Sequence, residues 1–360
     1  MKKVLVALRV VECIGIAAAL LLSCVNINFD DLIGKTACFS VAAAIPDGLS
    51  RSVTFTVITE PAASGTDTGT KKPSSVSGTD EILTPAVCAA VEEQIMGSVI
   101  KRTIPTASGN ISSGSVYINN NTDAAVDIDS ELSAKLSFDV TKDGTAQILI
   151  YHTHTTESFM TDEQSYYDSS DEPRSTDTDK NIVAVGDKIA EQLKNAGYTV
   201  IHDTTIHDHP GFTGSYGRSA ETVSRILSEN PNIKIAIDVH RDSISSGDSA
   251  KVAPVVTVNG REAAQVMLVM GSETGKVTGY PNWRENLRLA LHLQKTFADN
   301  YPDLARSILL RSAKYNQNLT TGSVLIEMGS DANTLDQALY SGELVGRSLV
   351  LMLEAKGNKD

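Results

Sequence analysis

From about residue 141 the chain alternates two hydrophobic patterns. Short, continuous apolar runs read as buried strands: Gln147–Tyr151, Tyr198–His202, Ile233–Val239, Gln265–Met270, Ser307–Leu310 and Val324–Met328. Between them, apolar residues recur at helical spacing. Ile182, Val185, Ile189 and Leu193 predict a helix over Asp179–Ala196, with Gly197 as its C-terminal cap. Ala220–Glu229, stopped before Pro231, reads the same way, as do Asn282–Asn300 and Leu335–Glu354. Apolar strands separated by amphipathic helices predict an α/β fold, a mainly parallel sheet with helices on both faces.

The first 140 residues follow neither pattern. Lys2, Lys3 and Arg9 precede an uncharged run from Cys13 to Val25, and Asp30 and Asp31 follow it. That charge order predicts an export segment over residues 1–30 with its N-terminus toward the cytoplasm. A retained membrane anchor, a cleaved signal peptide and a lipoprotein signal at Leu21-Leu22-Ser23-Cys24 all fit it. All three send the rest of the chain out of the cytoplasm. Residues 61–80, PAASGTDTGTKKPSSVSGTD, are rich in Ser, Thr, Gly and Pro and read as a linker. A helix is predicted around Pro85–Met96. Residues 31–140 together read as an extracytoplasmic stalk, and residues 141–360 as the domain that carries chemistry.

Charge narrows the function. With 31 basic and 44 acidic residues, the net charge is -13. Phosphate backbones need clustered Lys and Arg, so nucleic acid is excluded as a partner. The four cysteines stand at 13, 24, 38 and 88. A metal bound in the C-terminal domain must therefore use His, Asp or Glu.

Ligands in open α/β sheets bind outside the carboxyl ends of the strands. Three predicted strands deliver ionisable residues there. The first runs into His152-Thr-His154-Thr-Thr-Glu157, the second into Asp238-Val239-His240-Arg241-Asp242, and the third carries Glu327 before Met328-Gly329. Imidazoles and a carboxylate are zinc donors, and a further carboxylate beside them is a general base. Each motif alone also has a structural reading: a chance spacing, a salt-bridged loop, a capped turn. Their recurrence at strand ends of one sheet points to a metallohydrolase. Spacing does not choose between His152 and His154. His202, His207 and His209 fall in a polar loop that reads as solvated or as a substrate edge, and His292 reads as packing or surface on a helix.

YHTHTTESF, RSTDTDKNIVAVGDKIAEQLKNAGYTVIHD, GSYGRS, IDVHRDSI and LIEMG, in this order, resemble the stage II sporulation protein P family over about residues 141–358. These are membrane-anchored cell-wall hydrolases of endospore-forming bacteria. The resemblance implies an amidase-like fold and Zn²⁺ as cofactor. It implies peptidoglycan as substrate, cleaved between N-acetylmuramic acid and L-alanine, with cross-link cleavage as well. It also implies stage II sporulation proteins D and M as partners, and a place in the mother-cell membrane facing the intermembrane space during engulfment. On the matching motifs, His154 and His240 are metal ligands and Glu327 is the general base. The remaining ligand falls on Asp179, with Glu157 as competitor. Arg241 is a candidate to steady the substrate, or an ion-pair partner of Asp238 or Asp242. A zinc carboxypeptidase and a non-enzymatic wall-binding scaffold are the rival readings.

Overall fold

The computed structural model describes residues 37–44, 50–57 and 95–357. The export segment expected over 1–30 and the linker expected over 61–80 lie outside the described residues. So does most of the helix expected around Pro85–Met96; its last two residues, Ile95 and Met96, are strand instead.

The chain divides into two compact units, Met1–Val87 and Cys88–Asp360. In the first, β1 (Ala37–Ala44) pairs antiparallel with β2 (Ser50–Val57), Ala37 opposite Val57. The second opens with β3 (Ile95–Arg102), β4 (Ile111–Ser113), β5 (Val116–Asn120) and α1 (Ile128–Ser133). Next come β6 (Ala146–Tyr151), β7 (Tyr166–Asp168), α2 (Ile182–Asn195), β8 (Thr199–His202) and α3 (Ser215–Glu229). Four strands follow without a helix: β9 (Ile235–Asp242), β10 (Ala250–Val258), β11 (Arg261–Ala264) and β12 (Val266–Gly271). The chain continues through α4 (Trp283–Asn300), β13 (Ile308–Arg311), β14 (Ser323–Ser330) and α5 (Leu335–Gly357).

The main sheet has eight strands in the order β4-β5-β13-β12-β14-β9-β6-β8. β14, β9, β6 and β8 run parallel to one another, as do β12, β13 and β5. The two blocks meet antiparallel at β12 and β14, and β4 returns antiparallel on β5. The expected mainly parallel sheet is thus a mixed one. Parallel neighbours need a crossover, usually helical. No helix lies between β9 and β12, and β12 follows β11 after one residue, so it enters the sheet from the opposite end. A second sheet has the order β11-β10-β3-β7.

The stalk expected to reach residue 140 is also corrected. β5 pairs with β13, Ile118 opposite Ile308, and Val116, Ile118, Ile128 and Phe138 are buried in the main core. The boundary expected at 141 therefore falls inside one packed unit.

Side chains alternate across a strand. On one face, Ile148, Ile150, Ile237, Val239 and Ile326 pack with Ile182, Val185, Ile189 and Leu193 of α2, and with buried residues of α4 and α5. On the other, Leu149, Tyr151 and Ala236 pack with Val223 and Ile226 of α3. Each such aliphatic side chain removed from water contributes about 1.5–3 kcal/mol. Along this α3 face the β9 row turns polar after Ala236, with Asp238 and His240, and Glu327 stands beside it on β14.

Candidate metal and catalytic site

Tyr151 pairs with Asp238 across β6 and β9, and His240 with Glu327 across β9 and β14. Register partners in parallel strands share a face, so strand pairing alone brings Asp238, His240 and Glu327 together. His240 is not beyond the strand, as its motif suggested; β9 continues through it to Asp242.

The third contribution comes from the turn after β6. The Thr153 backbone N and Oγ1 donate to the two carboxylate oxygens of Asp238, at 2.8 and 2.6 Å. The Thr156 N and Oγ1 donate to Asp208 at 3.0 and 2.8 Å. These bonds satisfy buried donors that would otherwise cost about 1–3 kcal/mol each, and they fix where His154 and Glu157 point. The His154 ring stacks on Phe212 at 4.4 Å, meets His240 edge-on at 5.2 Å and Tyr216 at 5.5 Å. Ser215 Oγ lies 3.2 Å from its Nδ1. Glu157 is buried; its Oε2 accepts from the Arg241 backbone N at 3.0 Å and lies 3.5 Å from His240 Nδ1.

The charges here are strongly interdependent. Burial works against the His240 charge, but Asp238 and Glu157 outweigh it and raise its pKa well above the usual imidazole range. Burial would raise Glu157, yet His240 and Arg241 hold it below the usual carboxylate range. Burial pushes Glu327 up to about 8; Glu157 and Asp242 add to this, while His240 and Arg306 oppose it. Glu327 Oε2 is buried with no hydrogen-bond partner among the described residues. His240 Nε2 forms an ion pair with Asp238 Oδ1 at 2.9 Å without the alignment of a hydrogen bond.

His152 turns the other way. The strand ends at Tyr151, so the two-residue spacing no longer places His152 and His154 on one face. His152 is fully buried; its Nδ1 donates to Val239 O at 3.0 Å, and its Nε2 meets His202 Nε2 at 2.8 Å. His202 Nδ1 in turn lies 2.9 Å from Asp187. Burial pushes the His152 pKa down to about 3. His207, expected in a loop that is solvated or a substrate edge, is buried and donates through Nδ1 to His152 O at 2.8 Å. His209 is exposed.

Two sequence-predicted site residues make other contacts. Asp179 stands exposed on the turn before α2, its backbone N donating to Asp177 at 3.2 Å. The α2 cap is Asn181, whose side chain accepts from Val183 N, so the helix starts three residues later than expected. Arg241 is buried, and its guanidinium donates to the backbone carbonyls of Ser158, Pro173 and Asp242. It braces the loop carrying Glu157 and pairs with neither the Asp238 nor the Asp242 carboxylate. Asp242 pairs instead with Arg306 at 3.0 Å.

Asp238, Phe212, Tyr216 and Tyr315 were not singled out as site residues by sequence. Tyr216 lies inside the GSYGRS motif, an aromatic residue opening a helix next to a strand-end cluster, which was the available signal. His154, His240 and Glu157 supply two imidazoles and a carboxylate, the donor chemistry zinc takes. Asp238 behind His240 is the kind of carboxylate that orients a metal-bound imidazole. The donors fit zinc in type, although no three His, Cys, Asp or Glu side chains among the described residues are closed to metal-holding spacing as they stand.

The family model of Stage II sporulation protein P (SpoIIP) matches residues 90–349. Stage II sporulation protein P of Bacillus subtilis (strain 168) is 28% identical over 201 residues, covering 53% of this chain and 47% of that protein. The chain thus spans about half the length of the curated relative it matches. Among solved structures, the N-acetylmuramoyl-L-alanine amidase AmiC2 of Nostoc punctiforme is similar at TM-score 0.34 and 12% identity, over 60% of this chain and 99% of that one. The CwlD amidase from Clostridioides difficile, solved in complex with the GerS lipoprotein, is similar at TM-score 0.38 and 12% identity, over 59% and 100%.

Proposed function

The chain belongs to the stage II sporulation protein P family, and from that premise we propose that it is a sporulation cell-wall amidase. Its substrate is the amide joining N-acetylmuramic acid to L-alanine of peptidoglycan stem peptides, with peptide cross-links as further targets. The observation that carries this reading is the placement of Glu327. Its buried, unpartnered carboxylate oxygen stands across a strand pair from His240, beside a second imidazole and a second buried carboxylate.

His154, His240 and Glu157 would hold Zn²⁺. When bound there, the ion supplies Lewis-acid polarisation of the amide carbonyl. Asp238 orients the His240 ring, and Arg241 holds the Glu157 loop in place. Glu327 takes the proton from the attacking water and delivers it to the departing amine nitrogen.

Among the described residues no helix is long and apolar enough to cross a membrane. The proposed location, a cell membrane anchored through residues 1–30 with the catalytic unit outside, rests on the charge pattern of that segment and on the family. Action beside stage II sporulation proteins D and M in septal peptidoglycan removal rests on the family alone. Mass spectrometry of purified peptidoglycan digested by the protein tests the activity. Whole stem peptides should appear in solution, and Glu327→Gln should retain zinc but release almost none. Release of single terminal amino acids would favour a carboxypeptidase, and no release with no bound zinc would favour a wall-binding scaffold.

A further inference from the structure

Two half-buried phenols border the cluster, and none of the roles assigned above uses them. Tyr216, in the first turn of α3, meets His154 edge-on and lies nearly parallel to the His240 ring at 6.5 Å. Tyr315, on the loop after β13, packs on Tyr216 with ring centroids 6.1 Å apart. Among the described residues neither hydroxyl makes a hydrogen bond. The Tyr216 ring stands against the rings of both His154 and His240.

The backbone holds this arrangement at a cost. Tyr315 and Asn316 both lie in the left-handed region, with φ of 49° and 57°. Asn tolerates it, but a bulky aromatic does not, and such strain costs on the order of 1–3 kcal/mol. The conformation lets Asn316 Nδ2 donate to Tyr216 O and to Ser219 Oγ, both at 2.9 Å, and lays the Tyr315 ring against Tyr216. Strain is retained where the surroundings fix it, and here it fixes the position of a free phenol.

Amide hydrolysis needs a donor where negative charge develops on the carbonyl oxygen. Arg241 directs its guanidinium to backbone carbonyls. We propose that Tyr216 is a catalytic residue whose hydroxyl donates a hydrogen bond to the carbonyl oxygen of the scissile amide, and that Tyr315 is the positioning residue that aims it. This rests on the amidase reading above. A phenol is protonated at neutral pH and is therefore a donor. As the water oxygen bonds to the carbonyl carbon, the C=O π pair moves onto oxygen and the Tyr216 hydrogen bond strengthens. The C=O bond re-forms when the C–N bond breaks, and the amine departs with the proton carried by Glu327. Tyr216 keeps its own proton throughout.

Initial rates on soluble glycan fragments bearing stem peptides, measured with the zinc-loaded full chain, test this. Tyr216→Phe keeps the ring and its packing, so zinc content and melting temperature should match wild type. Its kcat should fall by about 100-fold with KM nearly unchanged, the signature of a donor engaged in the transition state. Tyr315→Phe should be near wild type, whereas Tyr315→Ala should lower kcat. A Tyr216→Phe kcat within about 3-fold of an active wild type, or a loss expressed in KM alone, would overturn the proposal and leave the amidase reading standing. No release of stem peptides by wild type would overturn both.

Discussion

Replacing Glu327 by Gln in the metal-free protein should stabilise it, by an amount that grows with pH. Burial is the main cause that raises the folded carboxyl from 4.5 to about 8. Between those values the folded chain keeps a proton that the unfolded chain has released. Stability from this group is therefore complete below about pH 4.5 and is lost as pH rises toward 8. The loss proceeds at up to about 1.4 kcal/mol per pH unit, which amounts to about 3 kcal/mol at pH 7. Gln cannot ionise, so the variant escapes the loss. His240 and Glu157 titrate too and are coupled to Glu327, so the difference between the two curves reads the response of the cluster to the loss of its buried carboxyl. Urea unfolding of wild type and Glu327→Gln in chelator, from pH 5 to 9, reads the difference. The two stability curves should diverge by about 3 kcal/mol between pH 5 and 8 and run level above that. Curves separated by a constant amount across the whole range would refute the burial of Glu327 as described.

The carboxylate ligand and the histidine pair behind the sheet give two further tests. Asp179→Ala should bind zinc and digest peptidoglycan within about 2-fold of wild type, because the side chain stands exposed outside the cluster, while Glu157→Ala should bind zinc at least about 100-fold more weakly by elemental analysis and titration. The opposite result would return the ligand role to Asp179. Gly186→Ala would put a Cβ 2.6 Å from His202 Nε2 and 2.8 Å from His152 Nε2, and should cost about 1–3 kcal/mol in denaturant unfolding. An unchanged midpoint would show that the His152–His202 contact gives way freely.

The strands nearest the site were legible because they are covered on both faces and so read as unbroken apolar runs. The β10–β11 hairpin was equally legible and was missed. VAPVVTV-Asn259-Gly260-REAA places Asn-Gly between strand-forming runs, and both residues adopt the positive φ, 50° and 79°, that a tight hairpin needs. β5 offered less: five residues with two buried apolar positions, Val116 and Ile118, flanked by turn-rich sequence. The direction of β12 had no mark in its own sequence, since it is set by the absence of a helix between β9 and β12.

The site shows the same division between what a residue is and what it touches. Parallel register alone brought His240 and Glu327 together, placing them side by side within their strands. Arg241 was misread because a charge beside a histidine motif looks available, whereas the backbone carbonyls that occupy it are invisible in sequence. HTHTTE is best understood through its threonines. Thr153 and Thr156 anchor the turn to the buried carboxylates of Asp238 and Asp208, and Thr155 donates to His152 O at 2.8 Å. The turn they make sends His152 into the sheet's far side against His202, and brings His154 and Glu157 round to His240. Two histidines two residues apart thus serve opposite faces of one sheet. If that division depends on the pinned turn, then loss of Asp238 should damage the site twice, by freeing the His240 ring and by releasing Thr153 from the turn that aims His154.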